Sequence, residues 1–266
     1  CPYYNFFQKK ENLRPSGTGG TITLTADNDI FSPDYVGSRI RINEGEVKIT
    51  AYVNAKQLTG ETGKNLNNAN QTADWEESSF SNRRGWPNSV TFHQDRMVIG
   101  GSKSLPNRLW LSKSSDLFNF DLGEGLDDEA IEFAILSDQV NAIKAVVSAR
   151  HLLVFTTGAE WMVTGQPLTP ESIQLSRQTK VGMYTGCYVP PQNVDGATLF
   201  VSSGGRQIRE FLFADVEQAY QAKDLTLLSS EIIKNPRDCI YHSDDSVLYV
   251  VLGDGSVSCL TTYRTE

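Results

Sequence analysis

Long apolar runs are missing from the 266 residues. No stretch approaches the roughly 18 consecutive apolar residues that a membrane-crossing helix needs, so no membrane insertion is expected. The start, CPYYNFFQKK, lacks a basic segment followed by an apolar one, and no secretory leader is legible there. Cysteine is scarce. Cys1, Cys187, Cys239 and Cys259 show no C-x-x-C spacing, and only three histidines accompany them. That argues against a zinc site and for buried free thiols. Positive charge is the minority sign: 24 lysines and arginines against 32 aspartates and glutamates leave a net charge of −8. A chain-wide nucleic-acid or anionic-membrane surface is thereby excluded, while a local basic patch remains compatible with the total.

Catalytic signatures are equally thin. His93 and Asp95 lie near Ser89, but no G-x-S-x-G elbow exists, and a histidine two residues from an aspartate in a turn reads as structural. Gly17, Gly19 and Gly20, like Gly100 and Gly101, lack both the Lys-Ser/Thr of a phosphate loop and a following helix. The acidic cluster Asp121, Glu124, Asp127, Asp128, Glu129 and Glu132 is the most site-like feature. Counted as a twelve-residue calcium loop from Asp121, its third and fifth ligand positions are Gly123 and Gly125, and the pattern fails there. Asp121, Asp127 and Asp128 stay as weak metal candidates beside a solvated acidic face or an inter-subunit surface. The expectation is a protein with no enzymatic activity and no cofactor.

What the sequence does contain is repetition. The stretch RGWPNSVTFHQDRMVIGGSKSLPNRLWLSK, from Arg84, holds short apolar runs divided by a polar turn and a Gly-Gly break. The same plan returns in HLLVFTTGAEWMVTG, ATLFVSSGGRQIREFLF and SVLYVVLGDGSVSCLTTY. Gly101, Gly158, Gly204 and Gly253 mark its hairpins, at intervals of 57, 46 and 49 residues. Short β-branched and aromatic runs between turn signals read as antiparallel strands. Units of this kind recurring every 40–50 residues or so predict a β-propeller. Trp86, Trp110 and Trp161 beside these strands read as core or inter-blade side chains. Arg84, Arg96, Arg108, Arg206 and Arg209 near the hairpins read as donors to backbone carbonyls or carboxylates, able also to meet a partner chain.

The predicted fold class is all-β. Residues 1–17 form an N-terminal segment, residues 18–75 a small β module of about four strands, and residues 76–266 propeller blades. A short helical turn is expected over Ser32–Gly37 and a short helix over Asp224–Ile233, while Gly60–Asn70 reads as a loop. Cys1 in place of Met, and a last blade stopping at its third strand, suggest a piece of a longer chain.

GWPNSVTFHQDRMVIGGSKSLPNRLWLSKSSDLFNFDLGEGLDDEAIEF, with FTTGAEWMV and REFLFADVEQAYQAKDL further on, resembles the tail nozzle or tubular (stabilisation) proteins of tailed bacteriophages and prophages. The likeness extends over roughly residues 31–264, and its motifs are framework motifs that specify no reaction. The resemblance implies a homo-oligomeric ring, a hexamer, in the distal tube of a virion tail. It implies adaptor and fibre proteins as neighbours and DNA passing through without specific binding. Candidate assembly contacts are Asp127, Asp128, Glu129, Arg206 and Arg209. A carbohydrate- or receptor-binding propeller, and a propeller glycosidase using two carboxylates, stand as alternatives.

Overall fold

A computed structural model describes residues 1–7, 9–136, 141–229 and 231–262. The chain divides into two compact units, Cys1–Pro87 with Ser102–Leu105, and Asn88–Gly101 with Pro106–Glu266.

The first unit is built on β1 (Tyr3–Tyr4), β2 (Leu13–Pro15), β3 (Thr21–Ala26), β4 (Arg39–Ile42), β5 (Gly45–Asn54), β6 (Gln57–Lys64) and β7 (Trp75–Ser78). They form one seven-stranded sheet in the order β1-β7-β4-β5-β6-β3-β2. The alternation in TITLTA and RIRI puts Ile22, Leu24, Ile40 and Ile42 on one buried face with Val47, Leu58 and Trp75. A separate N-terminal segment over 1–17 is not observed. Leu13 and Pro15 are buried, and β2 pairs with β3, so these residues complete the sheet edge. Nor does the unit stop at residue 75: β7 bonds to both β1 and β4, and Ser81 bridges Gly85. Part of the expected 60–70 loop is strand. At Gly60 a Cβ would stand 2.5 Å from Val47 and 2.8 Å from the Lys48 carbonyl, so a side chain there would separate β5 from β6. The turn after Ser32 is a 3-10 helix, Pro33–Tyr35, without a side-chain cap.

The second unit consists of β-propeller blades. The first blade is β8 (Ser89–His93), β9 (Arg96–Gly100), β10 (Arg108–Leu111) and β11 (Ile131–Ala134). The second is β12 (Ile143–Ser148), β13 (Leu152–Thr156), β14 (Glu160–Thr164) and β15 (Gln174–Thr179). The third is β16 (Gln192–Val194), β17 (Ala197–Val201), β18 (Ile208–Ala214) and β19 (Ala219–Asp224). A three-stranded sheet follows, with β20 (Pro236–His242), β21 (Val247–Leu252) and β22 (Val257–Thr261). Each sheet is an antiparallel meander in chain order.

Hydrogen bonds between the first strands define the hub. Asn88 Nδ2 donates to the Ile143 carbonyl (2.9 Å), and His93 Nδ1 lies 2.9 Å from Ser148 Oγ, so β8 and β12 run side by side in one direction. Asn193 Nδ2 reaches the Ser148 carbonyl at 3.3 Å, and Gln192 Nε2 reaches the Cys239 carbonyl at 3.3 Å. Parallel first strands with sheets meandering away from them are the propeller plan.

Three cores lie between neighbouring blades, and period two explains them. In β13, Leu152 and Val154 join Val98, Leu109 and Leu111 of the first blade, while Leu153 and Phe155 join Phe200, Phe211 and Tyr220 of the third. In β17, Phe200 faces the second blade, and Leu199 and Val201 face Leu248 and Val250 of the last sheet. A strand buried on both faces reads as a continuous apolar run, as LLVFT and ATLFV do. The glycines singled out by spacing occupy the second hairpin of each sheet: Gly101, Gly158, Gly204 and Gly253 all sit between second and third strands.

Several local expectations fail. No helix forms over the described residues of 224–233, because Asp224 Oδ1 accepts from the Thr226 amide (2.9 Å) and hydroxyl (2.8 Å) and closes a turn. Trp110 and Trp161 are buried, but Trp86 is 63% exposed. Among the cysteines only Cys239 is buried; Cys1 and Cys259 are exposed.

Candidate functional site

The acidic loop between β10 and β11 is organised from inside by Arg96. The turn His93-Gln94-Asp95-Arg96 closes the first hairpin with Gln94 and Asp95 both left-handed, at φ 45° and 57°, a geometry that matches strand twist. It delivers Arg96 into the interior, where the residue is 2% exposed. Its guanidinium donates to the carbonyls of Ser112 (2.7 Å), Asp127 (2.6 Å) and Glu129 (2.5 Å). A rigid fork of donors reaches both feet of the loop at once, which a lysine's compact ammonium cannot do. The Ser114 amide adds a bond to the Asp128 carbonyl at 2.8 Å.

This arrangement leaves Glu129 apart from the exposed carboxylates of the loop. Glu129 is buried, and its carboxylate accepts from the Gly125 (2.6 Å) and Leu126 (2.9 Å) amides. The Leu126 amide foremost, outweighing a desolvation penalty and helped by Gly125 and Lys113, holds its carboxyl below the usual carboxylate range. No group of three or more His, Cys, Asp or Glu able to hold a metal occurs among the described residues. Asp121, Asp127 and Asp128 remain at the exposed surface of the loop. Glu129, expected among the assembly contacts, is turned inward to its own backbone. Phe118, Leu122 and Leu126, which charge-based reasoning passed over, are exposed on the same loop.

Arg206 and Arg209 come together on the third blade, away from the acidic loop's blade. With Lys180, Val181, Ser202–Gly204, Gln207 and Glu231 they line a cleft of about 540 Å³. Antiparallel meanders place second-to-third-strand turns and blade-to-blade connections at one end of the sheets, and the cleft lies at that end. Arg209 is held by Gln207 Oε1 (2.9 Å) and the Ala222 carbonyl (3.2 Å), with Asp224 at 3.9 Å. Arg206 is exposed.

Beneath the cleft's Val181 edge sits Glu160, fully buried on β14. It accepts from the Thr179 hydroxyl and from the Val181 (3.2 Å) and Gly182 (2.7 Å) amides. Burial raises its pKa, and those donors together with Arg209 oppose the rise. Gly182 is left-handed at φ 76°, and a Cβ there would stand 2.3 Å from the Thr157 carbonyl, so only glycine lets the turn approach Glu160. The first unit has its own buried carboxylate. Glu77 accepts from the Tyr35 hydroxyl (2.8 Å) and from two nitrogens of Arg84 (2.8 and 2.7 Å). Glu77, Glu129 and Glu160 are thus each occupied by protein donors, an arrangement suited to support.

No family model matches the chain, and no curated protein matches it. Solved structures with some likeness include the β-propeller domain of Cps50 (Swd1) from Myceliophteria thermophila, at 11% identity over 96% of this chain and 80% of that one, with a TM-score of 0.45. Virginiamycin B lyase from Staphylococcus aureus, in a catalytically inactive form with quinupristin, shows 10% identity over 98% and 87%, with a TM-score of 0.42. An auxiliary nutrient binding protein from Bacteroides thetaiotaomicron shows 12% identity and a TM-score of 0.35; the match covers 90% of this chain and 64% of that protein's length. At these scores the likenesses carry no functional argument, and the propeller assignment stands on the hub strands and inter-blade cores described above.

Proposed function

We propose that the protein is a structural subunit of a bacteriophage tail, of the nozzle or tubular kind, which assembles with identical copies into a ring around the DNA-ejection channel. It has no enzymatic role in this reading, works in the virion tail, and meets adaptor and fibre proteins. One observation carries the proposal beyond the sequence resemblance. The β10–β11 loop is fastened at both feet by Arg96, yet it turns Leu122 and Leu126 to solvent. A backbone ordered in advance, presenting apolar side chains among carboxylates, suits a protein interface because little ordering cost remains at association. A closed ring uses two different complementary faces on each subunit, so such a loop serves one face only.

The carbohydrate-binding alternative is less well supported. Sugar platforms need clustered exposed aromatic faces; Trp75, Trp110 and Trp161 are buried, and the exposed Trp86, Phe92, Phe118 and Tyr188 lie on separate segments of the chain. The test is imaging of the intact protein in assembled particles, with the Leu122→Glu/Leu126→Glu double variant beside it. Rings of identical subunits that fail to form in the variant are expected. A single copy per particle, or a variant that assembles like the parent, sinks the proposal.

A further inference from the structure

We infer that the cleft between the β17–β18 hairpin and the β15–β16 connection binds a small ligand through an oxyanion, either a phosphoryl group or a carboxylate. The inference does not depend on ring assembly. In a chain of net charge −8, this cleft gathers three cations, Lys180, Arg206 and Arg209, against one lining carboxylate, Glu231. That carboxylate is already matched, since Lys234 Nζ lies 2.7 Å from it. Asp224 stands 3.9 Å from Arg209, and the buried Glu160 is occupied by its own donors. Lys180 and Arg206 are exposed and form no ion pair among the described residues, although Arg206 feels the charge of Glu231. The excess positive charge of the cleft therefore rests on side chains free to close on a ligand.

Uncommitted donors reinforce the charge. Arg209 Nε is buried and has no hydrogen-bond partner among the described residues. The amides of Ser203 and Gly204 donate to no protein group among the described residues. Gly205 is left-handed at φ 66°, and no atom lies within 4 Å of where a Gly204 Cβ would sit, so the backbone wall is open to an incoming group. Successive free amides beside a left-handed residue make a concave anion seat, and arginine forks match the geometry of both phosphate and carboxylate. The volume, about 540 Å³, falls in the range of small-molecule sites.

The test titrates the intact protein with sodium phosphate and with sodium acetate, against sodium chloride at matched ionic strength, by amide chemical-shift perturbation. The comparison is the Lys180→Gln/Arg206→Gln double variant, whose exposed positions leave the core untouched; an unchanged melting temperature in chloride confirms its fold. A saturable response to phosphate or acetate at Ser203–Gln207, weakened at least about tenfold in the variant, is expected. Preference for phosphate marks a phosphoryl ligand and preference for acetate a carboxylate, and either supports the site. A response that chloride reproduces, or that the variant retains, overturns it. So does loss of duplex-DNA binding in the variant without any phosphate response in the parent, which would make the patch a polynucleotide contact.

Discussion

Replacing Arg96 by methionine keeps an unbranched apolar stem and removes the guanidinium that ties the two feet of the acidic loop together. Three charge-assisted hydrogen bonds disappear, to the carbonyls of Ser112, Asp127 and Glu129. Each is of a kind worth about 1.5–3 kcal/mol, but the loop can partly re-solvate its carbonyls once it lifts away, so the contributions do not sum. Leaving a buried acceptor unsatisfied costs about 1–3 kcal/mol, and with three carbonyls partly re-solvated Arg96→Met is placed at about 3–5 kcal/mol. For a unit of this size each kcal/mol moves the midpoint by about 2–4 °C, giving a fall of roughly 6–20 °C. Intrinsic fluorescence of Trp110 and Trp161, both in the second unit, reports the melt, and limited proteolysis of residues 112–130 reports the loop. Arg96→Lys keeps the charge without the fork and should recover less than half of the loss. If Arg96→Met melts within about 2 °C of the parent and its loop resists protease equally, the anchoring argument is wrong.

Glu129 supplies a pH dependence with a definite sign. Its folded pKa lies below the ordinary carboxylate value, so its contribution is present above about pH 4.3 and is lost as pH falls through the lowered folded value. Cleavage of the 112–130 loop should quicken below about pH 4, and Glu129→Gln should flatten that profile; a parent and variant with matching profiles refute it. Gly182→Ala should destabilise by more than about 1 kcal/mol, measured in urea, since it meets both a left-handed backbone and the Thr157 carbonyl. Phe155→Ala should cost about 3–5 kcal/mol, because Phe155 fills the second inter-blade core against Phe200 and Phe211. Glu77→Ala strands Arg84 and should destabilise the first unit, followed through Trp75, by about 3–5 kcal/mol.

Sequence alone determined the blades. Strand period and turn chemistry are local properties, so the glycine-marked hairpins at 101, 158, 204 and 253, and the continuous runs LLVFT and ATLFV, announce buried antiparallel strands before any contact is known. Partnership between distant residues is not local, and there the reading fell short. Nothing in residues 1–17 says that Leu13 and Pro15 complete the edge of a seven-stranded sheet. Asp224 looks like a helix cap because capping and Asx-turn chemistry use the same short carboxylate, and only the turn at Thr226 decides between them. The acidic loop reads as one cluster because charge is visible in a sequence and the direction of a carboxylate is not. Tertiary structure sent Arg96 inward to the carbonyls at both feet of the loop. It turned Glu129 onto its own backbone, and it brought Lys180 beside Arg206 and Arg209 across two blades.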